Sequence, residues 1–201
     1  MKRRVRLDPA FALAVCYLLA AERSVWGLLS LAAAGLHELG HLGAAVLLGI
    51  RPTEFSVGAL GARMGLSVPL LSYRHELLIA AAGPGVNLLC IPPCLWGIRH
   101  LGNLDGAGEY LLFFAAASLA LAAVNLLPLR SFDGGRMLGA LCALCFGNFA
   151  ARRVLKMSTF ICSILLWGCA VALWFSSWEN LSLLVLSTAL LLRTVQDSLT
   201  C

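Results

Sequence analysis

Long apolar runs set the architecture of this chain. Stretches at about 9–21, 25–49, 77–98, 109–128, 157–177 and 180–195 are nearly free of charge. A helix needs about 20 apolar residues to cross a bilayer. The pattern therefore predicts an all-α polytopic membrane protein, with about six transmembrane helices in one membrane-embedded domain over 1–201. The first and last runs are the shortest. The first follows Met1-Lys2-Arg3-Arg4 and has the basic-then-apolar order of a signal peptide. No clear small-x-small cleavage site precedes a soluble domain, so it reads as a retained span.

Two intervening segments break the pattern. In residues 51–75, apolar positions alternate at Phe55, Val57 and Ala59, and again at Leu66, Val68 and Leu70. Gly58, Gly61 and Gly65 lie in or beside the turn region. A period of two predicts a small membrane-associated β-hairpin. A loop on the membrane surface fits the same residues. An unpaired hairpin edge would accept an extended peptide as a further strand. Residues 129–156 open with LRSFDGGRM and run into LGALCALCFG, too short to span, which predicts a helix dipping into the interface.

Composition agrees with lipid as the solvent. Hydrophobic residues make up 60%, charged residues 12%, and the mean hydropathy is +0.88. Soluble domains are about half apolar and about a quarter charged. The net charge of +5 is too small and too scattered for nucleic-acid binding, and instead encodes orientation. With a cytoplasmic N-terminus, only Arg23 and Arg99 fall in outer loops, and all other Lys and Arg lie inside. The expectation is a multi-pass protein of the cell membrane with both termini cytoplasmic. The eight cysteines fall mostly in apolar stretches. Cys142-Ala-Leu-Cys145 has redox-motif spacing, but these residues read as small buried side chains, not as a disulfide scaffold.

The second span carries polar groups where they are costly. His37-Glu38-Leu39-Gly40-His41 is H-E-x-x-H. On a helix, positions i and i+4 share a face, so both imidazoles can meet one zinc ion. Glu38 lies beside them as a candidate general base. Ionisable groups inside a span mark function by default, whereas a helix-packing histidine pair would be the structural alternative. Catalytic zinc usually takes three protein ligands. His100 lies on the wrong side, and His75 at the inner end of the third span. Asp133, in NLLPLRSFDGGRM, follows the fourth span on the inner side. Pro128 breaks the helix and Gly134-Gly135 permits a tight turn, which could aim the carboxylate at the metal. Capping of the next helix fits Asp133 equally well.

Gly83-Pro84-Gly85-Val86-Asn87 places helix-weakening residues and a carboxamide in the third span. Asn87 could orient substrate or stabilise an oxyanion, or simply bond to another helix. Asn125, at the end of the fourth span, has the same two readings.

HELGH, GPGVN and NLLPLRSFDGG, in this order and spacing, resemble the site-2 protease family of intramembrane zinc metalloproteases. The resemblance covers about 37–136. It implies that His37, His41 and Asp133 bind zinc, one ion per chain, and that Glu38 activates water. It also implies that 51–75 helps present substrate, and that Asn87 and Asn125 lie near the active site. Gly83, Pro84, Pro128 and Gly134 are the structural residues of the matching motifs. Within the family, the chain most resembles the stage IV sporulation protein FB branch, with its short first span, HExxH in the second and six spans in all. That branch implies a membrane-tethered protein substrate, such as a pro-sigma factor or other regulatory precursor, cleaved within the bilayer or at its cytoplasmic edge. A regulatory membrane partner is compatible with it. There is no PDZ insert and no nucleotide-sensing domain in 1–201, and Arg130 stands where many members have proline. Two rivals use the same histidines: a non-proteolytic metal-binding membrane protein or transporter subunit, and a different membrane zincin with Glu54 or Glu76 as third ligand.

Overall fold

The computed structural model describes residues 4–7, 25–50, 52–58, 61–66, 72–101, 106–177 and 181–199. The apolar run at 9–21 lies outside the described residues. The chain divides into two compact units, Met1–Asn125 and Leu126–Cys201.

Among the described residues, the first unit holds three helices. Helix α1 spans Val25–Leu47, α2 spans Tyr73–Leu101 and α3 spans Ala107–Asn125. The buried positions of α1 are Gly27, Ala33, His37, Gly40, His41 and Ala45, mostly small residues around two histidines. With such residues the backbones approach closely, as is usual where lipid offers no hydrophobic drive between helices. At Gly40 a Cβ would stand 2.7 Å from the Ala82 carbonyl oxygen of α2. At Gly97 it would stand 2.9 Å from Leu111 Cδ1 of α3. Trp26 stacks on Tyr110 and Phe113 of α3, with ring centroids 5.2 and 4.9 Å apart.

Helix α1 ends in a Schellman arrangement. Gly49 takes a φ of 74°, its N–H donates to Val46 O, and Ile50 N–H donates to Ala45 O, both at 2.9 Å. Ile50 then seats against Ala45 and Ile79, which ties the helix end to α2.

Helix α2 departs from the expectation of a weakened span. It runs unbroken through Pro84, Pro92 and Pro93. Each proline lacks an N–H, but neighbouring helices and local adjustments tolerate this in membrane helices better than water does.

Strands Arg4–Leu7 (β1), Pro52–Gly58 (β2) and Gly61–Leu66 (β3) form a sheet ordered β1-β2-β3. β2 and β3 pair antiparallel, with Phe55 opposite Met64 and Gly58 opposite Gly61. β1 pairs parallel to β2, with Val5 opposite Phe55, a partner that the alternation in 51–75 could not reveal.

The second unit holds α4, Asp133–Ser177, and α5, Leu181–Leu199. Helix α4 is two limbs joined at Gly147, where φ 81° and ψ 171° leave the helical region. The segment 138–147, expected to dip into the interface, is the end of its first limb and the Gly147 joint. The limbs fold back on each other. Arg130 N–H donates to Thr159 Oγ1 at 3.1 Å, Ser158 Oγ donates to Pro128 O at 3.1 Å, and Gly139 faces Leu155. The second limb packs on α5 through Ser163 with Thr194, 3.1 Å, and through Trp167 Nε1, which donates to Thr188 Oγ1 at 3.2 Å.

Among the described residues, three helices are long and apolar enough to cross a membrane: Tyr73–His100, Ala107–Asn125 and Asp133–Ser176. Leu183–Gln196 is a shorter apolar helix. Helix α1 has 23 residues, long enough to span, but His37, Glu38 and His41 lower its hydropathy.

Candidate metal centre

The i, i+4 spacing does on the helix what geometry requires. His37 and His41 share the buried face of α1, and their rings meet edge to face with centroids 4.8 Å apart. Their Nε2 atoms are 3.2 Å apart. The Nδ1–H of His41 donates to the Ile79 carbonyl of α2 at 2.7 Å. A carbonyl only accepts, so that bond holds the His41 proton on Nδ1. The Nε2 of His41 therefore presents a lone pair toward His37. A metal-ligating histidine is usually oriented in this way by its other nitrogen.

Gly83 makes this packing possible. A Cβ at that position would run into the His41 ring, touching Nε2 and Cε1. The GPGVN stretch thus acts here as a seat for the imidazole, and the helix does not break there. Glu38 follows His37 on the same turn and is half-buried.

Asn87 lies on the buried face of α2 at 0% exposure, and among the described residues neither its Oδ1 nor its Nδ2 has a hydrogen-bond partner. Among the described residues, the interhelical bond that would explain it structurally is not made. Ser118 of α3 is similarly buried, at 1%, with an unpartnered Oγ. Several other helical hydroxyls donate back to their own turn, as Ser30 does to Trp26 O and Thr194 to Leu190 O. Asn125 spends its Nδ2 on Leu121 O, 3.0 Å away in its own helix. His75 sits at the start of α2 and is half-buried.

In the second unit, Asp133 is the first residue of α4 and only 7% exposed. Its Oδ1 lies 3.6 Å from Arg136. An acidic side chain suits the positive end of a helix. Gly134 and Gly135 follow because the incoming loop passes directly over them. A Cβ on Gly134 would strike Leu126 O, and one on Gly135 would strike Leu129 O. Pro128 lies in that loop, and its carbonyl accepts from Ser158.

Sequence reasoning missed the Ile79 carbonyl and Ser118. A backbone acceptor leaves no mark in a sequence. Ser118 is visible only as the one hydroxyl within FFAAASLALAAV.

A family model described as Peptidase family M50 matches residues 102–169. That span holds Asn125, Pro128, Asp133 and Gly134, and begins after His37, Glu38, His41 and Asn87. Comparison with curated proteins gives no match. Among solved structures, the chain is similar to the site-2 protease from Methanocaldococcus jannaschii, with a TM-score of 0.61 and 22% identity. The alignment covers 96% of this chain and 90% of that one. A likeness at that identity shows the fold.

Proposed function

We propose that this chain is an intramembrane zinc metalloendopeptidase of the site-2 protease type. The observation that carries the reading is the convergent pair of Nε2 atoms, one residue from Glu38, on a buried helix face. Two independent signals support it. The HELGH stretch lies outside the residues matched by the peptidase family model, and the model matches the segment around Asp133. His37 and His41 in the first unit and Asp133 in the second are each buried, and two imidazoles with one carboxylate are donors of the kind that hold a metal ion. This is the set expected for catalytic zinc. We assign them as its ligands, one ion per chain.

Bound zinc supplies Lewis-acid polarisation to water and to a peptide carbonyl. The protein's own residues do the rest. Glu38 takes a proton from the attacking water and returns it to the leaving amine. Asn87, buried with its polar atoms uncommitted, offers an Nδ2–H₂ donor to a substrate carbonyl, whose bond strengthens as negative charge develops. Asn125 is the weaker candidate, since its donor is already engaged. A substrate helix must unwind first, because its carbonyls are bonded within the helix. Strand addition to the β1-β2-β3 sheet would stabilise the extended form. The substrate class is a membrane-tethered protein cleaved within the bilayer or at its cytoplasmic edge, with a regulatory precursor such as a pro-sigma factor as the first to try.

The test is co-expression with such a precursor, comparing wild type, Glu38→Gln and Asp133→Ala, with zinc measured on each purified protein. Cleavage by wild type alone, zinc kept in Glu38→Gln and zinc lost in Asp133→Ala is the expected result. Zinc-loaded wild type that cleaves none of a panel of tethered precursors would favour a non-proteolytic metal-binding protein. Zinc unchanged in Asp133→Ala would remove it from the ligand set.

A further inference from the structure

The apex of the α4 hairpin has an unusual surface. A turn at the end of a membrane hairpin normally carries polar residues. Here Phe146 and Phe149 flank Gly147 and are 75% and 78% exposed. Leu141 and Leu144, on the first limb below the apex, are exposed as well. Apolar surface thus continues along the limb to its tip. Gly147 holds φ 81° and ψ 171°, a conformation open in practice to glycine alone, and no atom lies within 4 Å of the place its Cβ would take. The elbow is therefore set by the backbone itself and projects its two rings outward.

On the second limb, Arg152 and Arg153 are exposed one turn beyond Phe149, and Lys156 is exposed one turn further. At 100° per residue, Phe149, Arg152, Arg153 and Lys156 fall within a single stripe. Because the limbs are antiparallel, this stripe leads back from the apex toward the apolar body of the limb. Arg152 and Arg153 thus stand exposed between an apolar apex and an apolar body, where a guanidinium meets whatever anion that depth offers. In a bilayer the group found there is the lipid phosphate.

We propose that the α4 elbow is an anionic-phospholipid site. Phe146 and Phe149 cover the headgroup from the apex side, and the Arg152 and Arg153 guanidiniums hold the phosphodiester. Charge complementarity selects an acidic headgroup over a zwitterionic one, since juxtamembrane cations gain from negative lipid and neutral lipid returns much less. Guanidinium forks also match phosphate oxygens in geometry. The site lies wholly within the second unit and does not depend on zinc or proteolysis.

The experiment uses the full chain, delipidated in mild detergent and titrated with equal phosphatidylglycerol and phosphatidylcholine, with bound lipids counted by native mass spectrometry. Wild type should retain phosphatidylglycerol preferentially. Arg152→Gln with Arg153→Gln should lose on the order of tenfold in that preference, and Arg152→Lys with Arg153→Lys should keep most of it. Phe146→Ser with Phe149→Ser should weaken both lipids alike. On the wild type alone, the preference should shrink as salt is raised. Equal retention of the two lipids by wild type, a salt-independent preference, or an unchanged preference in the double Gln variant would overturn the proposal. Displacement of the lipid by inorganic phosphate would overturn the choice of a lipid over a free anion.

Discussion

Gly83→Ala tests the seat of the His41 imidazole directly. The space for an alanine methyl is filled by the His41 ring, whose Cε1 would lie 2.5 Å from it. Unstrained carbon contacts are about 3.5–4.0 Å. The ring must therefore retreat by about 1 Å. A retreat of that size stretches the 2.7 Å bond from Nδ1 to Ile79 O beyond hydrogen-bonding range. It also spoils the 3.2 Å approach of the two Nε2 atoms. Loss of an orienting partner costs about 10–100-fold in metal affinity. Overpacking adds about 1–3 kcal/mol of destabilisation. The assay is chelator competition for zinc on purified wild type, Gly83→Ala and His41→Ala, with thermal melts to separate folding from affinity. Gly83→Ala should fall between the other two in zinc affinity. Wild-type affinity in Gly83→Ala, with an unchanged melt, would refute the reasoning.

Three further outcomes follow from the same geometry. Asn87→Val should raise the melting temperature, because it removes two unpartnered buried groups that each cost about 1–3 kcal/mol, while lowering cleavage; a lower melting temperature would mean that Asn87 bonds within the bundle. Gly135→Ala should destabilise by about 1–3 kcal/mol through its clash with the Leu129 carbonyl, whereas Gly139→Ala, 3.5 Å from Leu155, should be neutral or stabilising by up to about 1 kcal/mol; parallel melts of the two variants give the comparison. Chelation of bound zinc should lower the melting temperature, because a ligand at about 100 times its Kd contributes about 2.7 kcal/mol, and added zinc should restore it; a melt indifferent to both would argue against a zinc-loaded native state.

Much of this was legible in the sequence, for physical reasons that differ from element to element. The apolar runs at 25–49, 77–98 and 109–128 correspond to α1, α2 and α3, since lipid leaves a backbone little choice but helix. The pairing of His37 with His41 follows from the helical repeat alone. Pro84 pointed to a weakened stretch within the third span, whereas α2 runs through it unbroken. The reversal at Gly147 left only a faint mark, because a glycine within LGALCALCFGNFAARR, which holds Gly139 as well, reads equally as helix. The role of Gly83 was hidden for another reason. A glycine kept small for a neighbouring ring looks the same as one kept flexible for a turn, and only the position of His41 separates them.

The bond from His41 to Ile79 also determines what can disturb the chemistry. The acceptor belongs to the backbone of α2, so the imidazole takes its heading from the position of an entire helix. No side-chain substitution at residue 79 can delete that oxygen, which makes the arrangement resistant to point mutation. The same arrangement makes it sensitive to mechanical displacement, since a slide of α2 by about 1 Å along α1 would misdirect Nε2, and a misplacement of about 1 Å can cost about 100-fold. The helix pair behaves as a vernier, in which small axial travel translates into alignment or misalignment of one nitrogen.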